Sequence, residues 1–244
     1  MDARDDWAQI KFSSVALRST DKSNTSKKLV DIKAAIYAKH LYIFASWKDS
    51  KPGREHKPYI WDEKKSRYIT GPEREDRLAL QFEIEGQYTA NWPEATYFKA
   101  DMWHWKSTRS APLDLMHDKY TVVSNKKMTR SRKLVIDNNK PIYVKRISDS
   151  GDKLYSTQRY GKFNGHKKPK YILNKNISGS TSDVKAKSRW HKDKWQLEIK
   201  RLLDTGHDDD VKFILGKNIR AGISVFNDSD DDIHFVSETL EFNF

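Results

Sequence analysis

"DIKAAIYAKHLYIFASW", residues 31–47, alternates apolar and polar positions along most of its length. In its second half Leu41, Ile43 and Ala45 fall on one side and Tyr42, Phe44 and Ser46 on the other, the period of two expected of a half-buried strand. The interruption at Lys39-His40 predicts a tight turn, so 31–38 and 40–47 read as a β-hairpin. The same period recurs outward from it. "RLALQFEIEG" (77–86) places Leu78, Leu80, Phe82 and Ile84 on one face. "KWQLEIKRLL" (194–203) sets Trp195, Leu197 and Ile199 against Gln196, Glu198 and Lys200, and "RAGISVFN" (220–227) and "ETLEFNF" (238–244) repeat the pattern. Helical periodicity is never sustained for three turns. The expected fold class is therefore all-β, an antiparallel β-sandwich formed by a single domain over residues 1–244.

Composition agrees with a packed core. Only 36% of the 244 residues are hydrophobic and 33% are charged, but eight Trp, eleven Tyr and ten Phe supply more aromatic volume than a disordered chain carries. No run approaches the roughly 20 apolar residues that span a bilayer, and "MDARDDWAQIKF" has neither the basic nor the apolar part of a signal peptide. Zero cysteines exclude disulfides, thiolate metal sites, Cys nucleophiles and covalently attached c-type haem.

The net charge of +12 is concentrated. Residues 126–175 hold fifteen Lys/Arg against three Asp, which accounts for the whole excess. This stretch, with turn chemistry in "IDNNKPIYV", "SDSGDK" and "KFNGHKKPKY", reads as a long basic insertion of hairpins and loops (121–190) within the sandwich. Its lysines suit a solvated surface first. As a contact surface it suits an acidic protein partner, with nucleic acid the lesser reading, to be recognised by steeply salt-dependent DNA retention.

The densest chemistry lies in "KADMWHWKSTR", residues 99–109. If extended, it turns Asp101, Trp103 and Trp105 to one face and Met102, His104 and Lys106 to the other. Paired indoles at this spacing make a flat apolar wall for a sugar ring, a porphyrin or the facing sheet. The eight histidines include no HxH or HExxH pair, which leaves zinc without support. An iron porphyrin needs only one or two axial donors from the protein, and His104, Met102, Met116, His117 and His234 are all competent. The acidic clusters "HDDD" (207–210) and "NDSDDD" (227–232) lack the spacing of an EF-hand and read as solvated turns. GxSxG, P-loop and dinucleotide motifs are absent, so a non-enzymatic role is expected.

The order of motifs resembles a known family. "DWAQIKFSSVAL", "VDIKAAIYAKHLYIFASWKDS" (30–50), "EDRLALQFEI" (75–84), "DMWHWKSTR" (101–109) with "DKY" (118–120), and "KWQLEIKRLLDTGHDDDVKF" (194–213) before "AGISVFNDS" are similar to the haem-binding domain related to the ethylbenzene dehydrogenase γ subunit. The resemblance implies a sandwich like the family 9 carbohydrate-binding modules, a non-covalent haem b used for electron transfer or haem carriage, and a periplasmic location after removal of a leader. The composition alone is equally compatible with the cytoplasm. By the same resemblance Trp103, Trp105 and Phe82 would line the pocket and Arg109 and Arg201 would pair with the propionates. His234, in "HFVS", would replace the family's C-terminal lysine ligand, with Met102 or His104 as second choice. Where γ subunits carry their ligating methionine, this chain has Ala95, Thr96 and Tyr97. The alternative is a haem-free module that stacks a carbohydrate or other small ligand on tryptophan.

Overall fold

The computed structural model describes residues 6–135, 140–229 and 233–243. Among them the strands in chain order are β1 (Ser13–Ser19), β2 (Lys27–Tyr37), β3 (His40–Lys48), β4 (Tyr59–Asp62), β5 (Arg67–Thr70) and β6 (Arg77–Gly86). Next come β7 (Tyr97–Lys106), β8 (His117–Ser124), β9 (Arg132–Val135), β10 (Pro141–Ser148), β11 (Tyr155–Thr157) and β12 (Lys167–Lys168). The last six are β13 (Tyr171–Leu173), β14 (Lys185–Trp190), β15 (Lys194–Leu202), β16 (Asn218–Phe226), β17 (Phe235–Ser237) and β18 (Leu240–Asn243). The helices described are short 3-10 turns, and none is long and apolar enough to cross a membrane.

The hairpin expected from the alternation is β2–β3, in register from Val30↔Trp47 to Tyr37↔His40. Its two-residue turn is Ala38-Lys39, at φ of 44° and 64°. Two successive positive φ angles match the right-handed twist of the strands they join, which is why hairpins use them although neither residue is a glycine. The pairing is antiparallel throughout, and thirteen strands form one ladder, β14-β15-β3-β2-β1-β17-β16-β6-β7-β8-β10-β9, with β18 on β16. The basic stretch contributes β9 and β10 to this ladder beside β8. Beyond β10 it forms the small pair β11–β13 and sends β12 to the separate β4–β5 hairpin.

The ladder folds over itself, because each half has one apolar face to bury. Trp47 of β3 and Trp195 of β15 meet Trp105 of β7 at ring-centroid distances of 5.7 and 4.8 Å. Leu17, Val30, Ile43, Leu78, Leu80, Leu197 and Ile223 complete this core between the layers. The other face of β7 is covered too. Phe98 and Ala100 pack with Tyr88, Val123, Ile142 and Val144 in a second, smaller cluster. Next to it Tyr155 of β11 lies over His117 and Lys106.

Candidate functional site

β7 runs from Tyr97 to Lys106, and its faces divide as the alternation predicts. Trp103 and Trp105 point between the layers, where neither has any exposed surface. Phe82 lies 4.7 Å from Trp103, 5.2 Å from Phe213 and 5.5 Å from Phe242. Trp105 is held by Trp47 and Trp195. A haem requires a flat apolar slot between two walls. Trp103, Trp105 and Phe82 pack directly on Phe213, Trp47 and Trp195, and a porphyrin between them would displace these rings. They stand as core side chains.

The two arginines expected at the propionates are engaged with buried carboxylates in two separate places. Arg109 Nε donates to Glu75 Oε1, and the same carboxylate accepts the backbone N–H groups of Thr108 (2.9 Å) and Arg109 (3.2 Å). Arg201, buried in the core over the Trp103 ring, lies 3.0 Å from Asp210 Oδ2 and 3.6 Å from Asp101 Oδ2. Of the axial candidates, Met102 accepts a weak bond from Thr121 Oγ1 at 3.7 Å. His104 and His234 both pack on Phe226, at 5.9 and 4.5 Å. Both ring nitrogens of His104 are buried without a hydrogen-bond partner. Burial holds its pKa well below the usual imidazole value, helped by repulsion from Lys106, so the ring is neutral. That is the ligating form.

On the outer face of β7 a buried polar network replaces the exposed residues that alternation implies. Lys106 Nζ lies 2.7 Å from His117 Nδ1 and 3.1 Å from the Tyr155 hydroxyl, and His117 Nε2 lies 3.1 Å from Ser148 Oγ. Arg109 Nη1 donates to the same Tyr155 hydroxyl at 3.2 Å. Burial, with mutual repulsion of neighbouring cations, lowers the pKa of both Lys106 and His117. His117 is thus neutral. With Lys106 donating to Nδ1, its ring proton belongs on Nε2, facing Ser148.

The acidic cluster at 207–210 is not the solvated turn the sequence suggests. Asp210 is buried, and its carboxylate joins those of Asp101, Asp118 and Asp149 around one point. Burial raises the Asp101 carboxyl to about 6 and the Asp149 carboxyl to about 8, and it pushes Asp118 well above its ordinary value. Repulsion among the four adds to each rise. Of the second cluster, residues 230–232 lie outside the described residues.

An accessible space lies on the outer face of β2, β3, β14 and β15. An open, mainly apolar groove of about 810 Å³ is lined by Trp7, Tyr37, Tyr42, Lys185, Glu198 and Lys200, among others. Trp7 stands at its edge because its ring packs on Phe44 at 5.8 Å and its carbonyl accepts a hydrogen bond from Lys33 Nζ. Tyr37 is 74% exposed, so its ring is free to receive a ligand. Lys200 Nζ lies 5.5 Å over the Tyr42 ring. The volume falls within the roughly 300–1,000 Å³ common to small-molecule sites, and flat rings beside a few charged groups suit a ligand with an apolar face and polar edges. The period-two signal that placed Tyr42 and Glu198 opposite the core residues Ile43 and Ile199 already pointed to this face.

A family profile described as ethylbenzene dehydrogenase matches residues 4–234. A comparison with curated proteins gave no match. Among solved structures the chain is similar to a putative carbohydrate-binding protein from Bacteroides uniformis, at 10% identity and a TM-score of 0.42 over 96% of this chain and 79% of that one. It is also similar to a family 9 carbohydrate-binding module from Caldicellulosiruptor kristjanssonii in complex with cellotriose, at 11% identity and a TM-score of 0.40 over 98% and 76% of the two chains.

Proposed function

We propose that this chain, which belongs to the ethylbenzene dehydrogenase family, is a binding module that takes a small amphipathic ligand, a carbohydrate ring foremost, in the groove between Trp7, Tyr37 and Tyr42. The groove itself carries this reading: it combines accessible apolar volume with aromatic rings and with charged groups of both signs in Lys185, Lys200 and Glu198. A sugar offers C–H faces for the rings and hydroxyls for the lysines and the carboxylate, and burial of the C–H faces supplies most of the affinity. The tryptophan stacking expected from the sequence is thereby assigned to Trp7. The role is one of binding, not of catalysis.

Isothermal titration with a panel of neutral oligosaccharides tests it. At least one should bind, and Tyr42→Ala and Trp7→Ala should each weaken binding ~10-fold, the effect of losing one stacked ring. Absence of binding across the panel, or affinity unchanged in both variants, would overturn the reading.

A second reading, haem binding with electron transfer to an acidic partner, is favoured by the family and by one observation. His104 presents two buried ring nitrogens with no partner, as an axial donor would before it meets iron. This reading requires the packing on Phe226 to open. Haem titration separates the two: a sharp Soret band lost in His104→Ala supports haem, and a band that persists in that variant but not in His234→Ala or Met102→Ala would move the ligand to those positions.

A further inference from the structure

We propose that Asp101, Asp118, Asp149 and Asp210 form a divalent-cation site, with Ca²⁺ as the fitting occupant. The four come from four places in the chain: β7, β8, the residue after β10 and the loop after β15. All are more than nine-tenths buried, and one carboxylate oxygen from each lies within 4.8 Å of the other three.

Three of the carboxylates are oriented by a bond to one oxygen. Asp101 Oδ2 accepts the Val211 N–H at 3.1 Å, Asp210 Oδ2 accepts the Thr205 hydroxyl at 2.5 Å, and Asp118 Oδ1 accepts the Lys119 N–H at 3.2 Å. The other oxygens, Asp101 Oδ1, Asp118 Oδ2, Asp210 Oδ1 and both of Asp149, are buried with no donor. An unpaired buried carboxylate oxygen is costly, and this cluster holds five. Arg201 bridges Asp101 and Asp210, and His207 Nδ1 lies 3.9 Å from Asp210 Oδ2, so among the described ion pairs the four carboxylates meet one guanidinium and one imidazole. A further positive charge at their centre satisfies both the charge and the lone pairs.

The donor set selects the metal. Carboxylate oxygens without imidazole or thiolate suit a hard cation, not zinc or copper. Two oxygens on opposite sides of Ca²⁺ stand about 4.6–5.2 Å apart, against about 4.0–4.2 Å for Mg²⁺. The four ligand oxygens lie within 4.8 Å of one another, a limit that admits Ca²⁺ among them. A bound ion would tie β7 and β8 of one layer to the loop that follows β15 of the other.

The test uses the whole chain, freed of metal with a chelator and checked for folding by circular dichroism. Calorimetric titration with Ca²⁺ alone should show one ion per chain, and the thermal midpoint should rise with Ca²⁺. Tb³⁺ should emit when excited through tryptophan, since Trp103 lies directly across from Asp118 in the β7–β8 ladder, and Ca²⁺ should quench that emission at concentrations ~10-fold or more below those of Mg²⁺. Asp149→Asn should weaken Ca²⁺ binding at least ~10-fold, the scale on which even outer-shell changes act. A folded wild-type chain that binds no Ca²⁺, whether or not the variant folds, overturns the proposal and means that the quartet holds protons instead. Wild-type affinity in a folded Asp149→Asn variant would overturn it equally.

Discussion

Arg201 Nη2 lies 3.0 Å from Asp210 Oδ2, and both side chains are shielded from solvent. The pair joins β15 to the loop that follows it, and Arg201 Nη1 donates to the Val211 carbonyl of the same loop at 2.9 Å. Removing the guanidinium would leave Asp101 and Asp210 buried without their counter-charge. Arg201→Met should therefore destabilise the chain by ~3–5 kcal/mol, the usual cost of breaking a buried pair from one side. A shift of the urea midpoint checks this, and a midpoint within error of wild type would refute it.

Trp103 and Trp105 are core residues in this structure, so their removal should be felt as lost stability and not as lost affinity. Trp105→Ala is expected to cost ~3–5 kcal/mol. The milder Trp105→Phe should keep the wild-type affinity for whatever ligand the groove takes. Denaturation and calorimetry on the same preparation separate the two effects.

His117 gives stability a defined pH dependence. Burial, and then the nearby Lys106, lower its folded pKa. The unfolded chain takes up a proton near pH 6.5 that the folded chain refuses. The contribution of this residue should accordingly be intact above about pH 6.5 and fall as the pH drops below it, by up to ~1.4 kcal/mol per pH unit, while Asp101, Asp118 and Asp149, whose folded pKa values are raised, act in the opposite sense over the same range. His104, also held neutral by burial, bends the curve in the same direction as His117. Urea midpoints between about pH 7 and about pH 5, compared in wild type and His117→Gln, isolate this contribution: the wild-type chain should lose more stability, or gain less, than the variant as the pH falls.

The β2–β3 turn holds two residues with side chains at positive φ, Ala38 and Lys39. An L-residue with a Cβ costs roughly 1 kcal/mol or more in that region, and Asn-Gly is the pair best suited to it. Ala38→Asn combined with Lys39→Gly should raise the thermal midpoint without changing the fold, and a lower midpoint would show that the turn is supported by its side chains.

The hairpin, the strand faces and the all-β class were legible because a period of two survives wherever one side of a strand is buried. The division of 101–106 into an indole face and a Met-His-Lys face is the clearest case. What the period could not reveal is that the second face is buried as well, because Tyr155, from a distant turn-rich stretch, lies over Lys106 and His117. The aspartate quartet was hidden for a related reason. Its members come from four segments with no common spacing, and Asp210 sits in "HDDD", where exposed Asp208 precedes it and suggests a solvated turn. The indole pair was misleading in the opposite sense, since flat aromatic walls suit a facing sheet as well as a ligand. Composition has no term that distinguishes the two.

The central claim is that ligands enter between Trp7, Tyr37 and Tyr42 and leave the β7 indoles untouched. Amide and indole chemical shifts followed by NMR during titration with a bound oligosaccharide address it most directly. The account predicts shifts in Tyr37, Tyr42, Glu198 and Lys200 and in the Trp7 indole, with the Trp103 and Trp105 indoles unmoved. Perturbation centred on Trp103 and Trp105, with the groove residues silent, would contradict it.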